Sequence, residues 1–162
     1  MRRTRVAALL GTVAGALLLS GCAAVDLPLA GVRVGADGAP YALIRPCGND
    51  SYQGLSLDGR PGDVNEGPVT SGWDAEGERS GDADFPLFSP PDAWRARHRG
   101  AQHLVAGHSY RLAFGHYITG DAYNGIADFS AEAIARLRPG QVWADGRAMS
   151  LRAFERLAED AC

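Results

Sequence analysis

The chain has 162 residues, 46% apolar, 22% charged and 8% aromatic, the profile of one folded domain rather than a disordered or fibrous chain. All 16 basic residues are arginine, which excludes Schiff-base and P-loop chemistry, because both need a lysine. The formal charge of −3 argues against a nucleic-acid surface, where phosphate binding requires clustered positive charge.

Residues 1–21 read as an export signal. Arg2, Arg3 and Arg5 form a positive n-region, and Val6 to Leu19 is an uncharged apolar run of 14 residues. A run of that length is a signal h-region and falls short of the roughly 20 residues that span a bilayer. Leu19-Ser20-Gly21-Cys22 closes it and resembles the lipobox of bacterial lipoproteins, in which the cysteine is lipidated before cleavage on its N-terminal side. The resemblance implies that Cys22 carries the acyl chains and that the membrane, on its extracytoplasmic face, is the first partner. The competing reading is an ordinary secretory peptide cleaved after Ala23 or Ala24. Thr4-Arg5 stands where a twin-arginine signal wants apolar residues, which favours the general secretory route. Loss of residues 1–21 leaves 141 residues with 13 arginines against 19 acids, a charge of −6.

Residues 22–30 then read as a lipidated tether, and 31–162 as a single β-rich domain. With Cys22 lipidated, Cys47 and Cys162 are an even pair in an oxidising compartment and are expected to bond to each other, the alternative being two free buried thiols. Gly31–Gly35, the Asp37-Gly38 turn and Tyr41–Arg45 predict a hairpin that ends at Cys47. Ser51–Leu57 predicts a third strand. Residues 58–84 are rich in Gly, Asp, Glu, Pro and Ser and predict a long acidic surface loop, with one irregular strand around Trp73. Phe85–Phe88 is a short apolar segment stopped by Pro90-Pro91, and Trp94–Arg97 can begin another strand.

The strongest strand signal runs from Ser109 to Thr119, with Tyr110, Leu112, Phe114, His116 and Ile118 on one face. Ala122–Phe129 is its expected partner, joined through Gly120-Asp121. Ser130 caps a predicted helix over Ala131–Arg138, stapled by Phe129 and Ile134 and ended by Pro139-Gly140. Gln141–Trp143 and Arg147-Ala148, around Asp145-Gly146, suggest a small hairpin. Ser150 caps a second helix from Leu151 to about Asp160, with an apolar stripe of Leu151, Phe154, Leu157, Ala158 and Ala161.

Leu104-x-x-Gly107-x-x-Tyr110 resembles the lead-in to the tyrosine corner of immunoglobulin-like and fibronectin-III-like sandwiches. The expected fold is therefore a mainly β sandwich with two short C-terminal helices. Ile44–Gly48, Trp94-Arg95, Asp128–Ser130, Leu137–Val142, Ser150–Phe154 and Ala161-Cys162 together are similar to a pattern in small secreted and lipid-anchored actinobacterial proteins of unknown function. That similarity implies an exported domain and carries no catalytic residue over.

His98, His103, His108 and His116 lie within 19 residues and are the one ligand-like concentration in the chain. Their spacings of five, five and eight match no common short-range ligand pair, which argues against a metal site, and no cofactor is expected. Gly107-His108-Ser109-Tyr110-Arg111 lacks the second glycine of a nucleophile elbow. Asp63, Asn65 and Gly67 resemble a calcium loop, with Pro68 in place of its glycine and Asp74 in place of its glutamate. Asp82 with Asp84, and Glu159 with Asp160, read as solvated charge. The sequence thus predicts a non-enzymatic extracytoplasmic module that binds an envelope protein, polymer or small ligand. The alternative is a metal-binding or hydrolytic envelope protein using the 98–116 histidines.

Overall fold

Alternating apolar and polar residues build two packed sheets whose strands follow one another closely along the chain. The structure, a computed structural model, describes residues 23–117 and 122–162. The export signal, Cys22 and Ile118–Asp121 lie outside the described residues, as does the expected Gly120-Asp121 turn. The strands are β1 (Val25–Leu27), β2 (Ala30–Val34), β3 (Pro40–Ile44), β4 (Ser51–Pro61), β5 (Ser71–Ala75), β6 (Arg79–Ser80), β7 (Ala83–Pro86), β8 (Arg97–Arg99), β9 (His108–His116), β10 (Tyr123–Ser130), β11 (Gln141–Ala144) and β12 (Arg147–Ser150). Two helices, α1 (Ala131–Ala135) and α2 (Leu151–Ala161), and a 3-10 turn at Asp92–Trp94 complete the fold.

One sheet has the order β1-β10-β9-β4-β5-β8, with β6 added to the start of β4, and the other the order β12-β11-β2-β3-β7. The order β10-β9-β4-β5 corresponds to strands G, F, C and C′ of an immunoglobulin-like sandwich, and β2-β3-β7 to A, B and E. All pairings are antiparallel except β1 with β10, where Val25 lies opposite Tyr123. The β11–β12 hairpin extends the second sheet beyond β2, and its turn residues Asp145 and Gly146 both have positive φ, 50° and 69°, as a type I′ turn requires.

The core lies between the sheets, with Leu29, Val32, Ala42, Leu57, Trp73, Tyr110 and Leu112 fully buried. In β9 the inward set is Tyr110, Leu112, Phe114 and His116, as the alternation predicts. Strand β4 keeps Tyr52 and Leu55 both inward, although they are three positions apart, an odd step that alternation would send to the other face. An irregularity in its register at Gln53–Ser56, with Gly54 at φ 64°, inserts the extra residue that restores the phase.

Three local expectations are corrected. Residues 58–84 are not one long loop: besides the strand expected around Trp73, which is β5, they carry the end of β4, all of β6 and the start of β7. Gly59 is small because the Tyr110 ring fills the space beside it, and Gly72 because the Leu57 backbone lies against it. A Cβ on Gly59 would lie 2.5 Å from the Tyr110 ring, and one on Gly72 would lie 1.9 Å from the Leu57 carbonyl oxygen. The acids of this segment face out against arginines, Asp74 bonding Arg97 and Arg99 at 2.9 Å. The tether expected over 22–30 is, from Val25 onward, β1 and the start of β2, with Leu29 and Ala30 fully buried. Helix α1 stops at Ala135 rather than Arg138, because Leu137 turns back into the core and donates its N–H to the Ile134 carbonyl. Both serine caps form, with Ser130 Oγ accepting from Ala133 N–H at 3.0 Å and Ser150 Oγ from Ala153 N–H at 3.2 Å. Helix α2 buries Phe154 and Ala158 but leaves Leu151 41% exposed, because its contact with Val142 and Met149 runs through Phe154, Ala153 and Leu157.

Candidate functional site

The side chains singled out in the sequence fall at opposite ends of the sandwich, so two sites have to be considered. Strand β9 spans the distance between them. His108 opens it and His116 closes it, and eight residues of strand at about 3.3 Å each separate the two by roughly 26 Å. The four histidines therefore do not form one cluster. Among the described residues no group of three or more His, Cys, Asp or Glu side chains is placed to hold a metal ion.

The end that holds Val25, His116 and Tyr123 lies next to Cys22 in the chain. Here Cys47 and Cys162 are bonded to each other, their Cα atoms 5.4 Å apart, which ties the end of α2 to the residues following β3. The bond closes a loop of 115 residue steps, a constraint on the unfolded chain that stabilises the fold by about 4–5 kcal/mol at most. Around it sits a polar network. Tyr123 Oη accepts from the Cys47 N–H at 3.0 Å and donates to Asp50 Oδ2 at 3.2 Å. Burial, the largest cause, pushes the Tyr123 hydroxyl above its usual range. His116, 3% exposed, stacks on the Tyr123 ring with centroids 5.1 Å apart. Its Nδ1 meets the Ser51 carbonyl, which only accepts, so that nitrogen carries the proton. These groups satisfy one another, as the sequence expects of a core or rim histidine. They border a polar cavity of about 630 Å³.

The opposite end is built from the turns after β2, β4, β7 and β8, and it holds the tyrosine corner. Tyr110, fully buried, accepts from the Val105 N–H at 2.9 Å and donates to the His103 carbonyl at 3.3 Å. Gly107, at φ 74°, completes the corner by donating its N–H to Glu132 Oε1 at 2.7 Å. That bond holds the Glu132 carboxyl below its ordinary range. Gln102 clamps the β8–β9 connection from the other side, its Nε2 donating to the carbonyls of Gly72, Arg99 and Gly100 at 3.0, 2.9 and 3.2 Å. With its amide oriented this way, Gln102 Oε1 accepts from His98 Nδ1 at 2.8 Å. His108 Nε2 lies 3.3 Å from Thr70 Oγ1, leaving Nδ1 buried without a partner. His98 and His108 are thus each engaged by a neighbour rather than aimed at a common point.

Between the clamped connection and the neighbouring turns runs an apolar groove of about 360 Å³, floored by Leu87 and lined by Pro40, Pro86, Phe88, His103 and Leu104. Its walls are tied together. Leu87 donates its N–H to the Pro40 carbonyl at 2.9 Å and accepts from Trp73 Nε1 at 2.8 Å, and Phe88 stands edge-on to Tyr110 at 5.9 Å. Of the three residues matching the corner pattern, Leu104 alone also lines this groove; the groove itself was not legible in the sequence, because its walls come from three separate turns.

The outer face of the first sheet is polar and internally neutralised. Arg111 forms a two-pronged pair with Asp128, at 2.7 and 2.6 Å, while Arg97 and Arg99 meet Asp74 and Arg60 reaches Asp58. No known protein family, curated protein or solved structure matches this chain.

Proposed function

We propose that this protein is an exported, lipid-anchored immunoglobulin-like binding module, non-enzymatic, whose ligand site is the apolar groove at the end of the sandwich away from Cys22. The observation that carries the reading is the groove itself. It is concave, apolar and held in shape by backbone hydrogen bonds and the tyrosine corner, so a ligand meets a preformed surface and little ordering cost. Its size and lining suit an uncharged apolar group of a few side chains, presented by a protein of the cell envelope.

The anchor half of the proposal rests on the arginines, apolar run and lipobox of residues 2–22 and on the disulfide, which persists in oxidising compartments. Strand β1 runs away from Cys22 alongside β10, so the groove faces outward from the membrane. The paired arginines of the outer sheet face leave the groove as the better binding surface.

The test is photo-cross-linking on intact cells, with a benzophenone amino acid at Ser89 beside the groove and at Arg147 as a remote control. Expected is a discrete adduct from position 89 alone that disappears in Pro86→Arg, an exposed edge position where a charge enters the groove. An adduct that persists in Pro86→Arg, or its absence from position 89, overturns the groove as the site. Separately, Cys22→Ala is expected to move the protein from the membrane fraction to the medium, and its retention in membranes overturns the anchor.

A further inference from the structure

The polar cavity of about 630 Å³ beside the disulfide has a chemistry of its own, separate from the groove at the far end. The Asp50 N–H donates to the Cys47 carbonyl at 3.0 Å, and this tight turn brings Asp50 to the cavity wall. Tyr123 Oη is fully engaged between the Cys47 N–H and Asp50 Oδ2. The second nitrogen of His116 stands apart from that network. Because Nδ1 carries the proton toward the Ser51 carbonyl, Nε2 presents a lone pair. Nε2 makes no hydrogen bond among the described residues and is not one of their sealed polar atoms, and the otherwise enclosed ring lines the cavity.

The nearest polar atom across from Nε2 is a further acceptor. Asp50 Oδ2 stands 3.8 Å away, beyond hydrogen-bond reach, and Asp50 Oδ1 accepts from no described residue. Two neighbouring acceptors, one of them a carboxylate, with no donor between them fit a group that offers several N–H donors, a positive charge and no lone pair. An ammonium has that set. The protein's own side chains do not supply it, since no arginine is among the described residues that line the cavity and the chain has no lysine. Two donors are also too few to hold a metal ion. The rest of the wall, from Val25, Leu27, Ala161 and the Cys47–Cys162 disulfide, suits a short apolar stem.

We infer that this cavity is a binding site for a primary ammonium group, seated between the Asp50 carboxylate and His116 Nε2. Two sources share that chemistry, a free alkylamine and the α-amino end of the processed chain. Export cleavage before Cys22, after Ala23 or after Ala24 would each leave an α-ammonium within two residue steps, at most about 8 Å of chain, of Ala23 or Val25, both of which line the cavity. The site stands on the described residues alone. Only its filling by the chain's own end rests on the export reading proposed above.

The experiment uses residues 22–162 with Cys22→Ala and the disulfide intact, a chain that holds both sheets and the whole described core. It is prepared with a free or an acetylated α-amino group, each also with Asp50→Asn, which keeps an oxygen to accept from Tyr123. n-Butylamine is titrated against n-butanol, with binding read from the amide NMR shifts of Val25 and Tyr123. Expected is saturable butylamine binding to the acetylated chain, at least about tenfold weaker in Asp50→Asn and not matched by butanol. Absence of saturable binding, or binding that butanol matches or Asp50→Asn leaves unchanged, overturns the site. The α-amino group then assigns the source. If the chain's own end is the ammonium, the free-ended chain resists butylamine and melts about 4 °C above the acetylated one, a difference that Asp50→Asn abolishes. If the ligand is a free amine, both chains bind butylamine alike and melt together, and the site stands without the export reading.

Discussion

Replacing Tyr110 with phenylalanine removes one oxygen and keeps a fully buried ring in place. The ring contacts survive: Phe129 stacks on it at 5.6 Å, and Phe88 meets it edge-on at 5.9 Å. What is lost is the hydroxyl that joins the Val105 N–H and the His103 carbonyl across the turn into β9. Each neutral hydrogen bond contributes a net 0.5–1.5 kcal/mol or so, and a backbone N–H left unpaired in a half-buried turn keeps its desolvation cost, so the expected loss is about 2 kcal/mol. In a domain of this size that corresponds to a fall in Tm of roughly 4–8 °C. Urea denaturation of the Cys22→Ala chain, disulfide intact, measures it, with the midpoint moving and the slope unchanged. Tyr117→Phe is the control. It removes one exposed hydroxyl contact to Asn124 and is expected to stay within about 0.5 kcal/mol. A Tyr110→Phe midpoint indistinguishable from that control would refute the corner as a stabilising element.

Two further outcomes follow from the packing and from the acid limb. Gly72→Ala places a Cβ at 1.9 Å from the Leu57 carbonyl oxygen at a φ of 111°, so the β4–β5 pairing has to part, and the expected loss exceeds about 3 kcal/mol; an alanine variant with an unchanged thermal midpoint would contradict the tight approach. Glu132 is held below its ordinary value of 4.5 by the Gly107 N–H, so the stability it adds is present above that value and is lost as pH falls through its lower folded-state pKa. Glu132→Gln is expected to flatten the acid limb of the stability profile below pH 4.5 or so and to leave its shape at neutral pH unaltered, and an acid limb of the same steepness would contradict it.

The parts of the fold that were legible in the sequence are those whose signals are local. The alternation through Tyr110, Leu112, Phe114 and His116 specifies a one-sided strand wherever that strand lies, and each serine cap needs only the N–H three residues on. The type I′ turn at Asp145-Gly146 is equally self-contained. The partnership of Cys47 with Cys162 followed from a count, since the compartment reading removed the third cysteine. Residues 58–84 were misread because their composition is that of a loop, and composition does not show that Gly59 is small to admit the Tyr110 ring.

By itself, then, the sequence determined the period of β9 and β10, the helix starts, the pairing of its cysteines and the sandwich class, all of which depend on neighbours within a few residues or on simple number. Only the tertiary structure decided that the expected tether is a strand, that the acidic segment is the middle of a sheet, and that the histidines part to opposite ends of β9. It also decided that Pro40, Pro86, Phe88 and Leu104 share one groove. The physical reason is the same throughout. Each of these features is a relation between segments far apart in the chain, set by which side chain fills the space that another leaves, and a one-dimensional pattern carries no record of that space.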